Sequence, residues 1–369
     1  MKTNIAAYIW PSYSGDDPRS WIFWPRRFGE WETVLDAKPK APGHLWPRKP
    51  LWGCCNEADP YVMEIHINAA LRHGINTFIY DWYWYDSRPF LEVCLDNGFL
   101  GAANSAAMDF YIMWANHDAT YLWDRRNSKD EHAAVVWHGW QTMEEFRVIA
   151  ARWIEKYFCC PNYFKIDGAP VVSVFDLGNF IKGFGSLTAA AAAVKFLNTQ
   201  AQTAGFPEVH LQVCFSGESQ ITLPDGTKMS DMEAARHIGF QSYTNYNVPT
   251  MTWKGTMDWE SVYANAAAYR SRAVKQPLPY FPCVSVGWDN NLRFPEKWHD
   301  AILTCTPAQL EQEIANAVQY LDDNPDLPAR LVTINAWNEW TEGSYLLPDD
   351  LHGYGYLQAV HQAITHGNT

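Results

Sequence analysis

Short apolar segments recur along the whole chain, and their spacing predicts alternating strands and helices. Eight of them have the length and the β-branched or aromatic content of β-strands. Several are continuous apolar runs rather than alternating ones, which is typical of parallel strands covered on both faces. The eight segments are NIAAYIWP (from Asn4), INTFIYDWYWY (from Ile75), FYIMWANHD (from Phe110), APVVSVFDL (from Ala169), VHLQVCFSG (from Val209), GFQSYTNYN (from Gly239), YFPCVSVGWDN (from Tyr280) and LVTINAWNEW (from Leu331).

The segments between these strands carry residues that begin and end helices. Asp59 precedes Pro60 at one predicted helix start, and Gly74 follows that helix, which is a common arrangement of N-cap, first helical residue and C-terminal glycine. Similar signals accompany TMEEFRVIAARWIEKYF, SDMEAARHIG and TPAQLEQEIANAVQYL, and YGYLQAVHQAITHG is the last predicted helix. Repeated alternation of strand and helix with eight strands predicts an α/β fold, a (β/α)8 TIM barrel forming a single domain over residues 1–369.

The segment between the first strand and the first predicted helix, residues 12–59, is unusually long. It contains several prolines and five tryptophans. A loop of this length inside a compact domain is usually functional. In a (β/α)8 barrel we expect it to lie over the C-terminal face, where it would form a wall of the cleft.

The charge of the chain bears on its partners. The net charge is −13 and the pI is near 5.3, whereas a protein that binds nucleic acid needs a basic face. No basic amphipathic stretch indicates an anionic membrane surface, and no apolar run is long enough to span a bilayer. We therefore expect neither nucleic acid nor a membrane as a partner, and the oligomeric state is left open.

Aromatic residues are unusually frequent, with 19 Trp, 19 Tyr and 18 Phe making up 15% of the chain. A buried tryptophan needs a partner for its indole N–H, so this abundance favours flat aromatic platforms that line a groove. Sugars bind to such faces through their C–H patches while their hydroxyls meet polar groups. The alternative is a core that is itself rich in aromatic residues.

Eight cysteines are present, including the adjacent pairs Cys54–Cys55 and Cys159–Cys160. No Cys-x-x-Cys or Cys/His spacing predicts a zinc site. We expect free thiols, which favours a reducing compartment. The start MKTNIAAYIWP enters a strand at once, so no signal peptide is predicted. The compartment is left open between the cytoplasm and, for a chain trimmed of its signal, the periplasm or the exterior.

Polar and aromatic residues collect at the C-terminal ends of the predicted strands, where a barrel carries its catalytic groups. Almost no Lys or Arg is among them, although a phosphate or carboxylate substrate would require such cations. A neutral polyol would not, so the pattern favours a carbohydrate substrate. The candidate substrate contacts are Tyr8, Trp10, Asp81, Trp84, Trp114, Asn116, His117, Tyr246, Trp288, Asn338 and Trp340.

Two glutamates, Glu339 and Glu342, stand among tryptophans in INAWNEWTEG, at the end of the last predicted strand. Unpaired charge is costly to bury, so these residues are either solvated or take part in chemistry. Glycoside hydrolysis needs two carboxyl groups, and a turn after the strand brings positions three apart together. Neighbouring tryptophan can raise the pKa of one carboxyl by desolvation. We predict that both are catalytic; the alternative is one catalytic glutamate and a second that caps a loop or pairs with the rim.

Other polar residues are weaker candidates. Glu64 and His66 in MEIHIN are two positions apart on a predicted helix, so they lie on different faces and are expected at the surface. The sequence NHD at residues 116–118 could bind a metal, but no partner cluster has ligand spacing. Sugar hydroxyl contacts are therefore favoured there, and no metal site is predicted.

The segment NAWNEWTEGSYLLPDDLHGYGYLQA resembles the family 99-like glycoside hydrolases and the related group named for the WbsX glycosyltransferases. The resemblance extends, in order, to YIWPSY, HGINTFIYDWYWYDSRPFLE, FYIMWANHD and YFKIDGAPVVSVFD, and so covers most of the chain. It implies a (β/α)8 barrel that hydrolyses an α-linked glycan with retention of configuration, without a metal or other cofactor.

The Glu-Trp-x-Glu motif of that family falls on Glu339, Trp340, Thr341 and Glu342. The resemblance implies that Glu339 draws the proton from the 2-hydroxyl of the sugar, whose oxygen attacks the anomeric carbon and forms a 1,2-anhydro sugar. It implies that Glu342 assists departure of the leaving group and then activates water. The long first loop and NYNVPTMTWKGTMDW are features of the 99-like relatives rather than of the mannosidases, so no particular sugar is implied.

Three other functions stay open at the level of sequence. A glycosyltransferase is suggested by the name of the relatives, although the sequence shows neither a Gly-rich turn at a helix N-terminus nor a carboxylate-held metal site for a sugar nucleotide. A sugar-binding barrel without activity would keep the aromatic residues but would not need both glutamates. A metal-dependent hydrolase would require a ligand cluster, and the sequence does not indicate one.

Overall fold

Eight parallel strands form the centre of the computed structural model, which describes residues 2–40, 42, 44–45, 48–127, 134–249, 258–294 and 305–366. Each strand falls within one of the eight predicted segments, except that β3 begins one residue before its segment. In chain order they are β1 (Asn4–Ile9), β2 (Thr77–Tyr85), β3 (Asp109–Trp114), β4 (Ala169–Val174), β5 (His210–Cys214), β6 (Ser242–Thr244), β7 (Cys283–Ser285) and β8 (Leu331–Asn335).

The strands are neighbours in the order β6-β5-β4-β3-β2-β1-β8-β7, and each adjacent pair is parallel. The two end strands of this order meet through a short parallel bridge. There Tyr243 N donates to Pro279 O at 2.9 Å, and Phe281 N donates to Tyr243 O at 2.9 Å. This bridge brings the sheet round into a barrel, so the predicted (β/α)8 fold is confirmed.

Helices alternate with the strands along the chain. Asp59 caps the second of them as predicted, because its carboxylate accepts from Tyr61 N at 2.9 Å. Within the described residues the α-helices are α1 (Trp31–Leu35), α2 (Pro60–Arg72), α3 (Met143–Arg152), α4 (Leu177–Phe184), α5 (Leu187–Thr203), α6 (Asp231–Ile238), α7 (Trp259–Ala273), α8 (Pro307–Asp323) and α9 (Gly355–His366). The segments Cys94–Phe99 and Trp153–Phe158 are π-helical.

Helices α1, α4, α5 and α7 lie outside the predicted helical segments. α5 begins normally, since the Ser186 hydroxyl accepts from Ala189 N at 3.1 Å. Its buried face, however, is built largely from alanines such as Ala190, Ala193 and Ala201. The periodicity of large apolar residues that predicts an amphipathic helix is therefore weak in this part of the sequence.

The long segment at residues 12–59 is folded in the parts that the structure describes. It contains a 3-10 turn at Pro18–Ile22 as well as α1. The Tyr13 hydroxyl accepts from Trp340 N at 3.1 Å, and Tyr13 O accepts from Glu57 N at 3.1 Å. These contacts bring both ends of the segment to the chain just beyond β8, at the C-terminal end of the barrel.

Many of the tryptophans are core residues rather than groove platforms. Trp114 packs edge-on against Trp153 at 5.6 Å between ring centroids and stacks on Phe146 at 5.9 Å, on the side of β3 that faces the helices. Among the described residues, eight tryptophans are at most 2% exposed, and one of these, Trp10, also borders the cleft at the strand ends. They are Trp10, Trp24, Trp31, Trp82, Trp114, Trp153, Trp337 and Trp340. The aromatic-core alternative therefore accounts for much of the composition.

His66 also belongs to the interior, so its predicted surface position is wrong. His66 lies on α2 and is 2% exposed, and the Trp337 indole donates to its Nδ1 at 3.1 Å. Burial lowers the pKa of His66 to about 3, so the ring is neutral at physiological pH. The apolar face of α2 is wide enough to include it, because Met63 and Ile67 flank it there.

All eight cysteines are free, as predicted. In the described part of the chain, no single helix combines the length and the apolar composition of a membrane span. α4 and α5 meet that criterion only when taken together, and they are bent by 94° relative to each other.

Candidate active site

A cleft of about 360 Å³ opens where the barrel strands end. Carboxylates, an arginine and aromatic rings form its wall, and many of them directly follow a strand at its C-terminal end. The described residues that line it are Trp10, Asp81, Tyr83, Met113, Ala115, His117, Asp118, Thr120, Leu122, Trp123, Phe175, Tyr246, Arg293, Glu339 and Glu342. The cleft thus brings together the two predicted catalytic glutamates and four of the predicted substrate contacts, Trp10, Asp81, His117 and Tyr246.

A tight turn holds the two glutamates on the same side of the chain. Glu339 ends a two-residue strand that pairs antiparallel with Ser344–Tyr345, and the 3-10 turn Trp340–Glu342 joins the two strands. Gly343 closes the turn with φ +64, a conformation that glycine adopts without strain. Positions three apart therefore converge, whereas in an extended chain they would point in opposite directions.

Arg293 lies between the two glutamates and is the cation that the sequence pattern did not lead us to expect. Its Nη1 donates to Glu342 Oε1 at 2.6 Å, and its Nη2 lies 3.2 Å from both Glu339 Oε2 and Glu30 Oε1. The expectation of a rim almost free of Lys and Arg was therefore incomplete. Because three carboxyl groups surround this guanidinium, its charge is neutralised locally and is not offered to an anionic substrate.

Glu30 comes from the long first segment and binds to this network of charged groups. Its Oε1 accepts from the Thr341 hydroxyl at 2.7 Å, and its Oε2 accepts from the Ser12 hydroxyl at 3.0 Å and from the Trp10 indole. The residue is fully buried. Segment 12–59 therefore supplies one member of the charged cluster that holds the glutamate turn.

Asp81 approaches the pair from β2, and Tyr246 connects it to Glu339. The Tyr246 hydroxyl lies 3.1 Å from Asp81 Oδ2 and 3.2 Å from Glu339 Oε1. Two carboxyl oxygens of the site, Asp81 Oδ1 and Glu342 Oε2, are buried without a hydrogen-bond partner among the described residues. Unsatisfied buried acceptors are rare in folded proteins and concentrate where a protein does chemistry or binds a ligand.

Burial shifts the pKa values of all three carboxyls upward. Desolvation raises the pKa of Glu339 well above its ordinary value, and the neighbouring charge of Glu342 adds to the shift. Desolvation likewise raises the pKa of Glu342, with Arg293 opposing it, and raises that of Asp81 well above the usual range. A cluster of this kind keeps its protons to higher pH than free carboxyl groups do.

The wall opposite the glutamates is built from residues that follow β3. His117 packs edge-on against Phe175 at 5.4 Å and Trp123 at 5.8 Å, and its Nδ1 lies 3.0 Å from Asp118 O. Burial lowers the pKa of His117, so its ring is neutral at physiological pH. Within the described ranges, no group of three or more His, Cys, Asp or Glu residues has the arrangement of a metal site.

Strand geometry explains why some predicted contacts lie outside the cleft. Successive side chains of β2 point to opposite faces, so Asp81 and Tyr83 line the cleft while Trp84 turns outward and donates to Glu145 Oε2 at 2.8 Å. Trp114 faces the helices in the same way. Tyr8 is buried inside the barrel, where its ring centroid lies 4.9 Å from that of Tyr246.

Other predicted contacts hold the backbone instead of lining the cleft. The Asn116 amide donates to Asp176 O at 2.8 Å and accepts from Asp176 N at 2.8 Å, which ties the end of β3 to the start of α4. Trp340 is buried and stacks on Tyr345 at 3.9 Å between centroids. Trp288 is partly buried and packs against the core.

Asn338 is likewise a structural residue. Its contacts also show that Glu57, which the sequence did not indicate, belongs to the site. Its side chain accepts from Trp10 N at 2.8 Å, and donates to Trp10 O at 2.9 Å and to Glu57 Oε2 at 2.7 Å. Burial raises the pKa of Glu57 to about 8. These bonds clamp the end of β1 to the residue immediately before Glu339.

Glu30, Arg293 and Glu57 are the charged residues of this site that the sequence did not indicate. None of them lies at the end of a predicted strand, and Arg293 is more than forty positions from the glutamates it contacts. No local motif surrounds them. Only their placement in three dimensions shows that they form part of the site.

The fold and this site together define a (β/α)8-barrel protein with an acidic cleft at the C-terminal end of its strands. Within that class, the chain belongs to the family described as Glycosyltransferase WbsX, whose model matches residues 6–360.

Two curated proteins are also similar to this chain. The chain is 26% identical to protein WxcX from two strains of Xanthomonas campestris pv. campestris, over 99% of its own length. It spans about half the length of these curated relatives, since the match covers 50% of each.

Similar solved structures share the barrel. A family GH99 endo-α-mannosidase from Bacteroides thetaiotaomicron is 13% identical with a TM-score of 0.59, and the match covers 100% of this chain and 98% of that one. A glycoside hydrolase-like protein is 13% identical with a TM-score of 0.58, covering 98% and 93% respectively. At this identity the likeness concerns the fold.

Proposed function

We propose that this chain is a retaining glycoside hydrolase acting on an α-linked glycan, with Glu339 as the base and Glu342 as the acid. The observation that carries the proposal is the unequal hydrogen bonding of the two carboxyls. Both oxygens of Glu339 meet donors, because Oε1 faces the Tyr246 hydroxyl and Oε2 faces Arg293. Glu342 receives Arg293 on Oε1, while its Oε2 is buried without a partner among the described residues.

This difference supports a proton on Glu342 rather than on Glu339. Two interacting carboxyls titrate as a pair, and the donors around them decide which one keeps the proton. Burial raises the pKa of Glu339, and Arg293 opposes that shift. A carboxylate is stabilised by donors on both oxygens, and such donors suit Glu339 as the ionised base. A buried oxygen without a donor favours the neutral acid, which suits Glu342 as the group that carries a proton on Oε2.

The reaction that fits these states proceeds in two balanced steps. Glu339 takes the proton of the sugar 2-hydroxyl while O2 bonds to the anomeric carbon, and Glu342 transfers its proton to the departing glycosidic oxygen as that C–O bond breaks. Glu342 then takes a proton from water as the water oxygen attacks the anomeric carbon. The bond between that carbon and O2 breaks, and O2 recovers its proton from Glu339. Two inversions give net retention.

The remaining wall of the cleft suits a neutral sugar. Arg293 is surrounded by carboxyl groups, so it is not available to a phosphate, and the rings of Trp10, Tyr83, Trp123 and Phe175 offer apolar faces for sugar C–H groups. The activity in the name of the GH99 neighbour, endo-α-mannosidase, supports an α-linked glycan as the substrate class. The proposal concerns this chain, which spans half of WxcX.

A glycosyltransferase is the second candidate, and the description of the family favours it. Such an enzyme transfers a glycosyl group from an activated donor to an acceptor hydroxyl, and the same carboxyl pair could serve it. The two candidates differ in what they consume. A hydrolase needs only glycan and water, whereas a transferase needs a sugar bearing an activated leaving group.

Product release distinguishes them. Wild type, Glu339→Gln and Glu342→Gln are incubated with a panel of α-linked glycans and, separately, with nucleotide sugars plus the same glycans as acceptors. Glu155→Gln removes an exposed carboxylate that does not line the cleft and serves as the matched control. We expect reducing ends from wild type and the control, and losses of about 100-fold or more in both cleft variants. Turnover that survives in either cleft variant contradicts the paired roles, and elongation of acceptors without hydrolysis favours the transferase.

A further inference from the structure

The Tyr246 hydroxyl stands between two carboxyl groups but has a single proton. Its oxygen lies 3.1 Å from Asp81 Oδ2 and 3.2 Å from Glu339 Oε1. It can donate to only one of them, so the other contact is a hydrogen bond only if that carboxyl carries a proton and donates to the tyrosine oxygen. Whether Asp81 or Glu339 carries a further proton therefore determines which of the two carboxyls accepts from the Tyr246 hydroxyl.

We propose that Asp81 is a neutral positioning residue, which donates a proton from Oδ2 to the Tyr246 oxygen and thereby commits the Tyr246 proton to Glu339. This inference rests on the proposed role of Glu339 as the base. In this proposal, Asp81 exchanges no proton with the substrate. Its effect is to fix the direction of one hydrogen bond, so that Glu339 is held as a carboxylate by Tyr246 on Oε1 and by Arg293 on Oε2.

The distribution of charge supports this placement of the proton. Arg293 pairs with Glu30, Glu339 and Glu342, and no ion pair of Asp81 is found among the described residues. Ionised Asp81 would add a negative charge to a cluster that one cation already balances incompletely. The titratable groups that interact with Asp81 are Tyr83, Cys214, Tyr246, Glu339 and Glu342, each of which is neutral or negative at physiological pH.

The unpaired oxygen of Asp81 supports it independently. The residue is 4% exposed, and its Oδ1 is buried without a donor in the part of the chain that the structure describes. Leaving the carbonyl oxygen of a neutral acid unpaired costs far less than leaving half of a carboxylate unpaired. Burial accordingly raises the pKa of Asp81, and Tyr246 opposes this shift.

A consequence for pH dependence follows. Below its raised pKa, Asp81 keeps its proton and Tyr246 donates to Glu339. As the pH rises through that pKa, Asp81 ionises and competes for the single Tyr246 proton, so Glu339 loses a donor and the cluster gains a negative charge. Activity therefore falls on the alkaline side through a residue that never contacts the reacting atoms.

Two variants at position 81 test the inference. An asparagine amide can donate to the Tyr246 oxygen and keep a carbonyl in place of Oδ1, but it cannot ionise, whereas alanine removes the donor. We expect D81A to lower kcat on the order of 100-fold, with a much smaller change in KM. D81N should recover most of that loss and move the alkaline limb of the kcat/KM profile to higher pH. The inference is overturned if D81N is as inactive as D81A, or if its alkaline limb coincides with that of wild type.

A second measurement needs no substrate. The infrared spectrum of wild type minus that of D81N should show the C=O stretch of one protonated carboxylic acid at pH 7, and the band should disappear as the pH rises through the alkaline limb. A band in a protein that cleaves no glycan would support the neutral Asp81 and reject the proposed hydrolase. No band in an active hydrolase would reject the neutral Asp81 alone. Thermal unfolding of D81A and D81N checks that both variants are folded.

Discussion

Arg293 Nη1 lies 2.6 Å from Glu342 Oε1, and this contact joins two chain segments that are far apart in sequence. The same guanidinium reaches Glu339 and Glu30, so a single cation stabilises three buried carboxyl groups. Arg293 binds only Oε1 of Glu342, and Glu342 Oε2 has no hydrogen-bond partner among the described residues. Burial raises the pKa of Glu342 while Arg293 opposes that shift, so the carboxyl can both lose and regain a proton.

Replacing Arg293 by methionine should destabilise the protein strongly. The change keeps much of the aliphatic volume but leaves three buried carboxyls without a cation, and breaking a buried pair in this way costs about 3–5 kcal/mol. The control is Arg272→Met, which removes an exposed pair with Glu218 and should cost less than about 1 kcal/mol. Urea unfolding at pH 7 measures both. Equal losses in the two variants would contradict a central role for Arg293.

The destabilisation by Arg293→Met should also depend on pH. Without the cation, the folded-state pKa values of Glu339 and Glu342, which burial already raises, rise further above their unfolded values. The folded state then binds more protons than the unfolded state, so the free energy of unfolding falls as pH rises. The difference between wild type and variant should therefore be smaller at pH 5 than at pH 7. A constant difference would show that the loss arises from packing alone.

Glu57 provides a second prediction about pH and stability. Burial raises its pKa from the ordinary value of 4.5 to about 8. Between these values the folded state holds a proton that the unfolded chain has released, so this group lowers stability by about 1.4 kcal/mol for each unit of rising pH. Glu57→Gln cannot ionise and keeps an acceptor for Asn338, so it should lose this dependence. Its free energy of unfolding should gain on wild type steadily from pH 5 to pH 8.

The measurement is denaturant unfolding of wild type and Glu57→Gln at several pH values in that range. Glu155→Gln, which removes an exposed carboxylate, should follow wild type throughout and serves as the control. If the curves of wild type and Glu57→Gln ran parallel, Glu57 would be ionised in the folded protein and would accept from Asn338 as a carboxylate.

The strand pattern and the helix caps made the barrel predictable. Continuous apolar runs are a local property, and a cap such as Asp59 acts on its own helix through its nearest residues. The glutamate pair could also be predicted, because both residues lie within one turn. The alanine-built face of α5 was not apparent, since small residues give a weak periodic signal.

The rest of the site depends on contacts between distant segments. Glu30 meets Thr341 and Trp10 because residues 12–59 return to the end of β8, and no pattern near Glu30 indicates this. The outward direction of Trp84 and Trp114 could have been predicted, because successive side chains of a strand point to opposite faces of the sheet. Asn116 was placed at the correct strand end, but only its two bonds to the Asp176 backbone reveal that its amide is already used.

His44 should hold the first long segment against the cleft. Its Nε2 lies 2.7 Å from Asp289 Oδ2, and Asp289 N donates to Glu342 O at 2.6 Å, so the segment is tied to the glutamate turn through one buried aspartate. His44→Ala should loosen this connection at a cost of about 1–3 kcal/mol, and limited proteolysis should cut within residues 12–59 faster than in wild type. His237→Ala on the exposed face of α6 is the control. Unchanged cleavage rates would show that other contacts hold the segment.

Tyr246→Phe should reveal whether Asp81 acts through the tyrosine. The change removes one hydroxyl and keeps the ring that packs on Tyr8 at 4.9 Å, so we expect a fall in kcat of about 10- to 100-fold with the fold retained. When Asp81→Ala is added to Tyr246→Phe, it should lower kcat little further, because Asp81 has no hydroxyl to orient once the Tyr246 hydroxyl is gone. A double-mutant cycle on kcat measures this coupling. Additive losses would mean that Asp81 and Tyr246 act separately, and that Asp81 serves the cleft by a contact of its own.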